Sequence, residues 1–397
     1  MIEKILSVII VVLVIACTLL VLTRITINEI NFDGGIHTSE GLHFDEITGE
    51  NLQAAIDSLV VLDGYYDYWF GGGTVWVGGN IDIYEPIIQK SYVTVDFLGH
   101  DAVMKDNVDF VYLTDGIFHS TIKNVFINLS SDPVYDATVI HIYLPPESVW
   151  GDHIRYNAFE NIEIRNKSPW KTGEGYSEHN YTGIWIENRG ETNTFWNIFR
   201  DISMRACGSG IKLTQTTEVE APALGVGWNN GNLFEHIFIN QCRIAIEFET
   251  DDNLRNGFNR NLFLDVKSQS SQYCPPTEYG VKDIQGNGNA FVDMLIWDWH
   301  VCVNGPPNYG ESGIYVYWVG DDAYDTRLDI NGRGVETIPE YYLDEGTRTT
   351  LQEGRYDYIL PAPEDYSKIF GLSLLEIILI IILIILLIII VIKKVIL

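Results

Sequence analysis

The sequence is poor in basic residues. It contains 25 Lys and Arg against 54 Asp and Glu, which gives a formal net charge of −29 at pH 7. Proteins bind nucleic acid largely by neutralising phosphates with Lys and Arg, so a chain this acidic is expected to repel nucleic acid. The same acidity is compatible with bound divalent cations such as Ca²⁺, although no residue spacing requires a cofactor.

Several motifs of common enzyme classes are also missing. Residues 25–368 contain no metal-ligand spacing, nucleophile elbow, phosphate-binding loop or dinucleotide fingerprint. The Leu pattern of leucine-rich repeats and the regular four-strand period of propellers are absent as well. Any chemistry must therefore come from side chains that the fold brings together.

Two long apolar runs lie near the ends of the chain. Residues 5–22 include no charged residue, and residues 377–392 are almost entirely Ile and Leu. Runs of this length cross, or nearly cross, a hydrocarbon core of ~30 Å, so we expect transmembrane helices at 5–23 and 369–392. Lys4 and the Lys393-Lys394 pair flank the two runs, and the positive-inside rule then places both termini in the cytoplasm.

These spans define the expected domain organisation of a protein in a cell membrane or viral envelope. The extracellular part lies between the spans and consists of a stalk at 24–47, the body at 48–345 and a linker at 346–368. A cytoplasmic end at 1–4 precedes the first span, and a cytoplasmic tail at 393–397 follows the second. An alternative for the first run is lipidation at Cys17, because the preceding Val-Ile-Ala resembles a lipoprotein processing box.

An internal repeat predicts the fold class. The form Asn-x-Phe-x-polar-apolar-x-apolar occurs five times, and a second short strand follows each copy. Strands this short bury a face only if successive copies stack, which predicts an all-β, single-stranded parallel β-helix. The stacked copies would form an interior Phe column and Asn ladder, which comprise Phe159, Phe199, Phe234, Phe263 and Phe291 with Asn157, Asn197, Asn232, Asn261 and Asn289.

The beginning of the body predicts a helix followed by strands. Thr48 is suited to be the N-cap of a helix with apolar residues at 52, 55, 56 and 59 on one face. Residues 71–104 then alternate apolar and polar residues in short runs broken by Gly, which is typical of short strands.

Residues 52–104 resemble the start of pectate-lyase-like right-handed parallel β-helix proteins. The resemblance rests on LQAAID at 52, GGGTVWV at 71 and VTVDFLG at 93, although Gly78-Gly79-Asn80 replaces the usual Pro-Gly turn. It implies a capping helix, a right-handed coil and a carbohydrate partner, because the superfamily includes polysaccharide lyases and hydrolases, viral tail spikes and adhesins. Trimers are common among such spikes, so a homo-oligomer is also implied.

The resemblance does not transfer a set of catalytic residues. The Gly99-His100-Asp101 triplet and the Asp251-Asp252 pair lie outside the series that polygalacturonase-like members carry, and the acidic cluster and Arg base of pectate lyases have no counterpart that we can place. Activity must therefore be argued from the site itself.

The repeat register predicts two disulfides. Cys207 and Cys242 each lie eight residues after a repeat Phe, and Cys274 and Cys302 each lie eleven residues after one. Equivalent positions in adjacent coils are ~4.8 Å apart, which suits a disulfide in an oxidising compartment. Stacked free thiols are the alternative.

Sequons occur in the predicted body. Asn128 and Asn180 each begin an Asn-x-Ser/Thr triplet, as does Asn166, where a following Pro disfavours modification. We expect glycosylation at Asn128 and Asn180, and chance occurrence in an Asn-rich chain is the alternative.

One outward column of the second strands combines aromatic and charged residues, namely Trp185, Lys212, Glu247, Lys282 and Tyr315. Flat rings and charged groups favour a sugar-binding face, whereas a purely structural ladder of Lys–Glu pairs is the alternative. Two residues further on, Glu187 and Glu249 lie two coils apart, at a spacing that suits the acid and base of an inverting glycosidase.

A second column lies two residues after each repeat Phe and comprises Asn161, Asp201, His236, Asp265 and Asp293. Adjacent Asp265 and Asp293 would be close enough to share a proton as an acid–base pair, with His236 beside them. Asp and Asn also favour corners because they bond to their own backbone, so a structural corner is the alternative.

Three functions are compatible with these features. The first is a membrane-anchored surface protein that binds a polysaccharide or other glycan, in an adhesion, receptor or spike role. The second is a membrane-tethered polysaccharide hydrolase or lyase, and the third is a structural envelope or virion protein.

Overall fold

A computed structural model describes residues 34–59, 72–114, 116–129, 135–148, 152–166, 181–190, 193–216, 227–250, 257–269, 279–297, 315–320, 323, 325–331, 342–353, 368–369 and 372–373. The chain separates into two units, Met1–Glu353 and Gly354–Leu397. The larger unit contains the predicted solenoid.

The described part of the larger unit contains one helix, α1, Gly49–Ser58. Thr48 is its N-cap, and Oγ1 of Thr48 accepts a hydrogen bond of 3.1 Å from the backbone N–H of Asn51. The apolar face of α1 is buried through Leu52, Ala55 and Ile56, as the pattern predicts. The helix packs against the first coils.

The strands are short and follow one another along the chain. The first nine are β1 Ile36–Thr38, β2 His43–Phe44, β3 Gly73–Val77, β4 Ile81–Ile83, β5 Ile87–Ile88, β6 Val93–Met104, β7 Val111–Thr114, β8 Thr121–Leu129 and β9 Thr138–Leu144. The next ten are β10 Ile154–Arg155, β11 Ala158–Asn166, β12 Thr182–Asn188, β13 Thr194–Phe195, β14 Ile198–Arg205, β15 Ser209–Gln215, β16 Asn229–Asn230, β17 Leu233–Asn240, β18 Ile244–Thr250 and β19 Phe258–Asn259. The last ten are β20 Leu262–Leu264, β21 Lys267–Gln269, β22 Tyr279–Ile284, β23 Ala290–Trp297, β24 Tyr315–Val319, β25 Arg327–Asn331, β26 Tyr342–Asp344, β27 Thr350–Glu353, β28 Lys368–Ile369 and β29 Leu372–Ser373.

The strands from β3 to β27 stack in parallel, coil upon coil. One sheet has the order β3-β6-β8-β11-β14-β17-β20-β23-β25-β27, and a nine-stranded sheet has the order β26-β24-β22-β18-β15-β12-β9-β7-β5. The strands β10, β13, β16 and β19 form a third, four-stranded sheet. Along the chain, each of them follows a strand of the nine-stranded sheet and precedes a strand of the first sheet. Neighbours in each sheet come from successive coils, which is the arrangement of a parallel β-helix. Its right hand and its family remain predictions.

The ends of the solenoid differ from the predicted boundaries. β1 and β2 form an antiparallel hairpin, and β1 also pairs with β3, so part of the expected stalk at 24–47 belongs to the first sheet. β27 pairs with β25, so the solenoid also continues past residue 345 to Glu353. These strands are only two to four residues long, too short for a clear alternation of apolar and polar residues.

The predicted Phe column forms the centre of the core. All five repeat Phe side chains are fully buried, and neighbouring rings are parallel with centroids 5.2, 4.9, 4.7 and 4.6 Å apart. The spacing follows from the distance between hydrogen-bonded strands. The prediction is confirmed for the whole series from Phe159 to Phe291.

The predicted Asn ladder is also confirmed. Its five side chains are fully buried, and the Nδ2 groups of the first four each donate to the Oδ1 of the next Asn at 3.0–3.1 Å. The same Oδ1 accepts the backbone N–H of the preceding Asn at 3.0–3.2 Å. Ser120 ends the ladder, because its Oγ donates to Asn157 Oδ1 at 2.8 Å. These bonds satisfy amides that would otherwise be costly to bury.

One predicted disulfide lies in the described part of the chain and is confirmed. Cys207 and Cys242 are bonded, with Cα atoms 4.4 Å apart in adjacent coils. Cys274 and Cys302 lie outside the described residues, so the second disulfide stays a prediction. Of the expected glycosylation sites, Asn180 also lies outside, whereas Asn128 is only 1% exposed. A buried amide is inaccessible to a glycan, so Asn128 is not a suitable attachment site in the folded protein.

The smaller unit contains an antiparallel pair, in which β28 lies against β29. The helix expected from residue 369 stays a prediction, although residues 368–369 and 372–373 form this strand pair. The remaining residues of that span, and the whole of the span at 5–23, lie outside the described residues. No helix in the described ranges has the length and apolar character needed to cross a bilayer.

Candidate functional site

The predicted aromatic and charged column exists on the outer face of the nine-stranded sheet. Trp185 pairs with Lys212, Lys212 with Glu247, and Glu247 with Lys282, each in the next coil. Four of the five predicted residues therefore lie in one row along the solenoid.

Tyr315 does not continue this row. It pairs with Tyr279, three residues before Lys282. In the sequence, Gly280 and Gly313 each begin a short strand-like segment, and aligning them places Tyr315 beside Lys282. In the structure the two Tyr residues occupy equivalent positions, so the prediction for Tyr315 is wrong by three residues.

The row also extends into earlier coils that sequence reasoning missed. His141 pairs with Trp185, Tyr112 pairs with His141, and Tyr143 pairs with Glu187. The signal was the alternation of β9, in which Ile140, Ile142 and Leu144 are buried between these polar positions. β9 has Val139 at the position where β12, β15 and β22 have Gly, so in sequence it does not resemble the later copies.

His141 lies between two carboxylates. Its Nδ1 is 2.7 Å from Asp109 Oδ2, and its Nε2 is 3.0 Å from Glu187 Oε2. Burial lowers the pKa of His141, but the hydrogen bonds to Asp109 and Glu187 outweigh burial and the net pKa is raised. The two carboxylates therefore favour the protonated form of His141.

Glu187 is the buried carboxylate of the site, with a side chain only 4% exposed. Arg189 donates to its Oε1 through Nε at 2.6 Å, and Arg189 Nη2 lies 2.5 Å from the same oxygen. Burial raises the pKa of Glu187, but the hydrogen bonds from His141 and Arg189 outweigh burial and the net pKa is lowered. Glu187 is therefore held as a carboxylate.

Trp185 is fixed on both faces and at its edge. The His141 ring stacks on it with centroids 5.0 Å apart and planes 7° apart, and Lys212 Nζ lies 5.0 Å from the indole centroid. Its Nε1 donates to Thr214 Oγ1 at 2.9 Å. Lys212 is in turn held by Glu249, whose Oε2 is 2.8 Å from Nζ.

These side chains line an open pocket of about 360 Å³, whose walls are formed by Trp185, Glu187, Arg189, Lys212, Thr214, Thr216 and Glu249. Glu187 and Glu249 flank Thr214 in the two neighbouring coils, and Thr214 Oγ1 donates to Glu249 Oε2 at 3.2 Å. The predicted pair of carboxylates therefore faces one pocket.

Glu247 lies beside the pocket. Lys282 Nζ is 2.7 Å from its Oε1, and Ser209 Oγ donates to its Oε2 at 2.9 Å. Burial raises the pKa of Glu247, but Lys282, Lys212 and Ser209 outweigh burial and the net pKa is lowered. Glu247 therefore belongs to a ladder of Lys–Glu pairs, which was the structural alternative for this column.

The second predicted column lies at backbone corners in the other large sheet. All of its members have φ between 51° and 54°, a left-handed conformation that Asn and Asp tolerate better than most residues, and they are Asn161, Asp201, His236, Asp265 and Asp293. His236 Nδ1 is 3.3 Å from Asp201, and Lys267 Nζ is 3.2 Å from Asp265. Asp265, Asp293 and His236 therefore do not join the pocket carboxylates.

Within the described ranges, no group of three or more His, Cys, Asp or Glu side chains is placed to hold a metal ion. The pocket cations and carboxylates are instead paired with one another, Arg189 with Glu187 and Lys212 with Glu249. The carboxylates, cations and hydroxyls of the pocket can accept and donate hydrogen bonds to a ligand beside the edge of the Trp185 indole.

The pKa shifts predict how stability depends on pH. The raised pKa of His141 stabilises the folded protein below the ordinary value of 6.5, and this contribution is lost as the pH rises through the folded-state pKa. The lowered pKa of Glu187 stabilises it above the ordinary value of 4.5, and this contribution is lost as the pH falls through the folded-state pKa. The two contributions coincide between pH 4.5 and 6.5.

We therefore expect the free energy of unfolding to decrease as the pH rises above this window, and the decrease to be smaller in His141→Gln. Urea unfolding of the full-length protein in detergent at a series of pH values measures it. His236→Gln is the matched control, because His236 also lies beside an aspartate but belongs to the other sheet. An identical pH dependence in His141→Gln and the wild type would contradict the assignment.

Comparison with models of known protein families and with curated proteins finds no match to this chain. The function of the pocket therefore has to be argued from its own geometry and chemistry.

Proposed function

We propose that this protein binds a glycan in the pocket on the outer face of the nine-stranded sheet. The observation that supports this best is the combination of an indole, two hydroxyls and two ion pairs around one open pocket. The indole edge that lines the pocket offers apolar surface to the C–H groups of a sugar ring, while carboxylates, cations and hydroxyls match its hydroxyl groups. Binding sites usually have this character, an apolar surface with a few placed polar groups.

The charge balance of the pocket favours recognition of hydroxyl groups over long-range attraction of a charged polymer. Glu187 and Arg189 neutralise each other, as do Lys212 and Glu249. A sugar hydroxyl can both donate and accept, so it can bond to a carboxylate and to a cation of these ion pairs. Neither charged group is then left buried without a hydrogen bond, which would be costly.

The solenoid extends the site beyond one pocket. The row from Tyr112 through His141, Trp185 and Lys212 to Lys282 repeats at the ~4.8 Å spacing of adjacent strands. A linear glycan lying along this row would contact several coils at once. Each contact adds to affinity without a separate loss of translational freedom.

Membrane display is part of the proposal. The uncharged run at 5–22 and the Ile- and Leu-rich run at 377–392 support two membrane anchors with the solenoid between them, outside the cell or viral envelope. Two anchors would keep the pocket near the membrane surface, which suits an adhesion, receptor or spike role.

Glycan cleavage is the second candidate, and the shared pocket of Glu187 and Glu249 favours it. A general acid must keep its proton until it reacts, whereas the lowered pKa of Glu187 favours its carboxylate. Glu187 is therefore better suited to be a base, and the acid would have to be Glu249, which is ion-paired with Lys212. This combination supports binding more directly than hydrolysis.

The test uses the full-length protein in detergent on an array of neutral and acidic glycans, followed by analysis of reducing ends and unsaturated products. Retention without products is the expected result. Products that disappear in Glu249→Gln would establish cleavage instead. Failure to retain any glycan would overturn the proposal and favour a structural envelope role.

A further inference from the structure

A column of aromatic rings runs along one corner of the solenoid, away from the pocket. Tyr92, His119, Tyr156 and Trp196 occupy equivalent left-handed positions in successive coils, with φ between 56° and 60°. Neighbouring rings have centroids 5.3, 4.8 and 5.1 Å apart, close to the strand spacing. Trp196 directly follows β13 of the four-stranded sheet, whereas the pocket lies on the nine-stranded sheet.

The aromatic column is interrupted after Trp196. Gly231 takes the equivalent position in the next coil, and Arg260 takes it in the coil after that. Gly231 has a φ of +60°, and an added Cβ would lie 2.9 Å from Cδ1 and 3.0 Å from Nε1 of Trp196. Because Gly231 has no side chain, the indole can tilt 31° from the Tyr156 ring, and Trp196 is 51% exposed. No aromatic ring of the described residues covers the indole on the Gly231 side.

Two hydrogen-bond donors border this interruption without an acceptor. Within the part of the chain that the structure describes, neither the indole N–H of Trp196 nor the guanidinium of Arg260 has a hydrogen-bond or ion-pair partner. Arg260 is exposed, although the chain carries 54 acidic residues. The pocket cations Arg189 and Lys212 are by contrast both ion-paired. A ligand at this corner must therefore supply acceptors, and the charge of Arg260 favours an anion.

We propose that an anionic sugar residue binds in the interruption, between Trp196 and Arg260. Two coils separate these residues, about 9.6 Å at ~4.8 Å per coil, so a flat ring between them would lie at the spacing of the column itself. The uncovered side of the indole would contact the C–H groups of the sugar, and the carboxylate or sulfate of the sugar would accept hydrogen bonds from the guanidinium. An acidic peptide has the charge but not the flat ring, so it would satisfy Arg260 alone. This site is separate from the pocket and differs from it in selecting a charged ligand.

The test is a saturation-transfer NMR titration of the full-length protein in a detergent without a sugar headgroup. The ligands are methyl glucuronide, methyl glucoside 6-sulfate and the neutral methyl glucoside. We expect both anionic sugars to bind at least about tenfold more tightly than the neutral sugar, and Arg260→Gln to remove this difference. Trp196→Ala should weaken the binding of both anionic sugars, because it removes the ring on which they lie.

Gly231→Asn tests the interruption itself. Asparagine tolerates a left-handed backbone, but its side chain would occupy the space next to the indole that the sugar needs. We expect the anionic sugars to bind at least about tenfold more weakly, with circular dichroism showing that the variant is folded.

Arg205→Gln and Tyr84→Ala are the matched controls and should bind as the wild type does. Arg205 is an arginine that already donates to Gln241, and Tyr84 is 56% exposed but lies outside the column. Equal affinity of the wild type for charged and neutral sugars would overturn the proposal, as would unchanged selectivity in Arg260→Gln. Binding of a polyglutamate peptide in place of the sugars would assign the corner to an acidic protein and also overturn it.

A preference for only one of the two anionic sugars would support the proposal and identify the group that Arg260 binds. None of these outcomes depends on whether the pocket around Trp185 binds a glycan, because the variants change a different face of the solenoid.

Discussion

Replacing Phe234 by alanine is expected to lower the free energy of unfolding by about 3–5 kcal/mol. Phe234 is fully buried in the middle of the Phe column and stacks on Phe199 at 4.9 Å and on Phe263 at 4.7 Å. In a solenoid each coil is stabilised mainly by its neighbours, so the cavity would weaken two coil interfaces at once. Urea unfolding of the full-length protein in detergent, followed by circular dichroism, measures the loss.

Phe234→Leu is the matched control for this change. It keeps most of the buried volume, and apolar exchanges of similar size usually cost less than about 1.5 kcal/mol. The difference between the Ala and Leu variants then reports the cavity. Superimposable unfolding curves for Phe234→Ala and the wild type would show that the column does not stabilise the solenoid.

Replacing Trp185 by alanine is expected to weaken glycan retention at least about tenfold, which corresponds to ~1.4 kcal/mol. The change removes the indole from the pocket wall and frees His141 and Lys212, which lie on its two sides. Aromatic residues carry a large share of binding energy where a ligand covers them. Titration of a glycan that the array identifies measures the change in Kd.

Trp185→Phe and Trp228→Ala are the controls for the pocket. Phenylalanine keeps an aromatic ring and should retain part of the affinity, although it cannot donate to Thr214. Trp228 is 46% exposed just before β16, in another sheet, so its loss should leave binding unchanged. Weakening by Trp228→Ala but not by Trp185→Ala would place the glycan on a different face.

Much of the fold could be predicted from the sequence because the repeated residues, Asn and Phe, are stable in the interior only when equivalent residues stack in adjacent coils. A buried Asn is stable only where its amide is satisfied, and Asn157 to Asn289 satisfy one another in adjacent coils. The same register brought Cys207 next to Cys242. Prediction failed for Tyr315, which pairs with Tyr279, three residues before its expected partner Lys282.

The candidate site could be predicted only in part. The outward alternation of the strands placed Trp185, Lys212 and Glu247 in one row. The network around Glu187 was beyond reach, because Asp109 and His141 belong to earlier coils and meet it only after the coils stack. The acidic column lies in the other sheet at left-handed corners, a backbone conformation that the sequence pattern did not reveal, and its catalytic role stays a prediction.

The sequence by itself determined the stacking of the solenoid, since one repeat specifies which residues are interior and each interior column satisfies itself through neighbouring copies. Only the tertiary structure decided the chemistry of the pocket. The charge states of Glu187 and His141 depend on burial and on partners dozens of residues away, and no spacing along the chain encodes those distances. The His37–His43 contact has the same origin, because a hairpin too short to be recognised brings the two rings face to face.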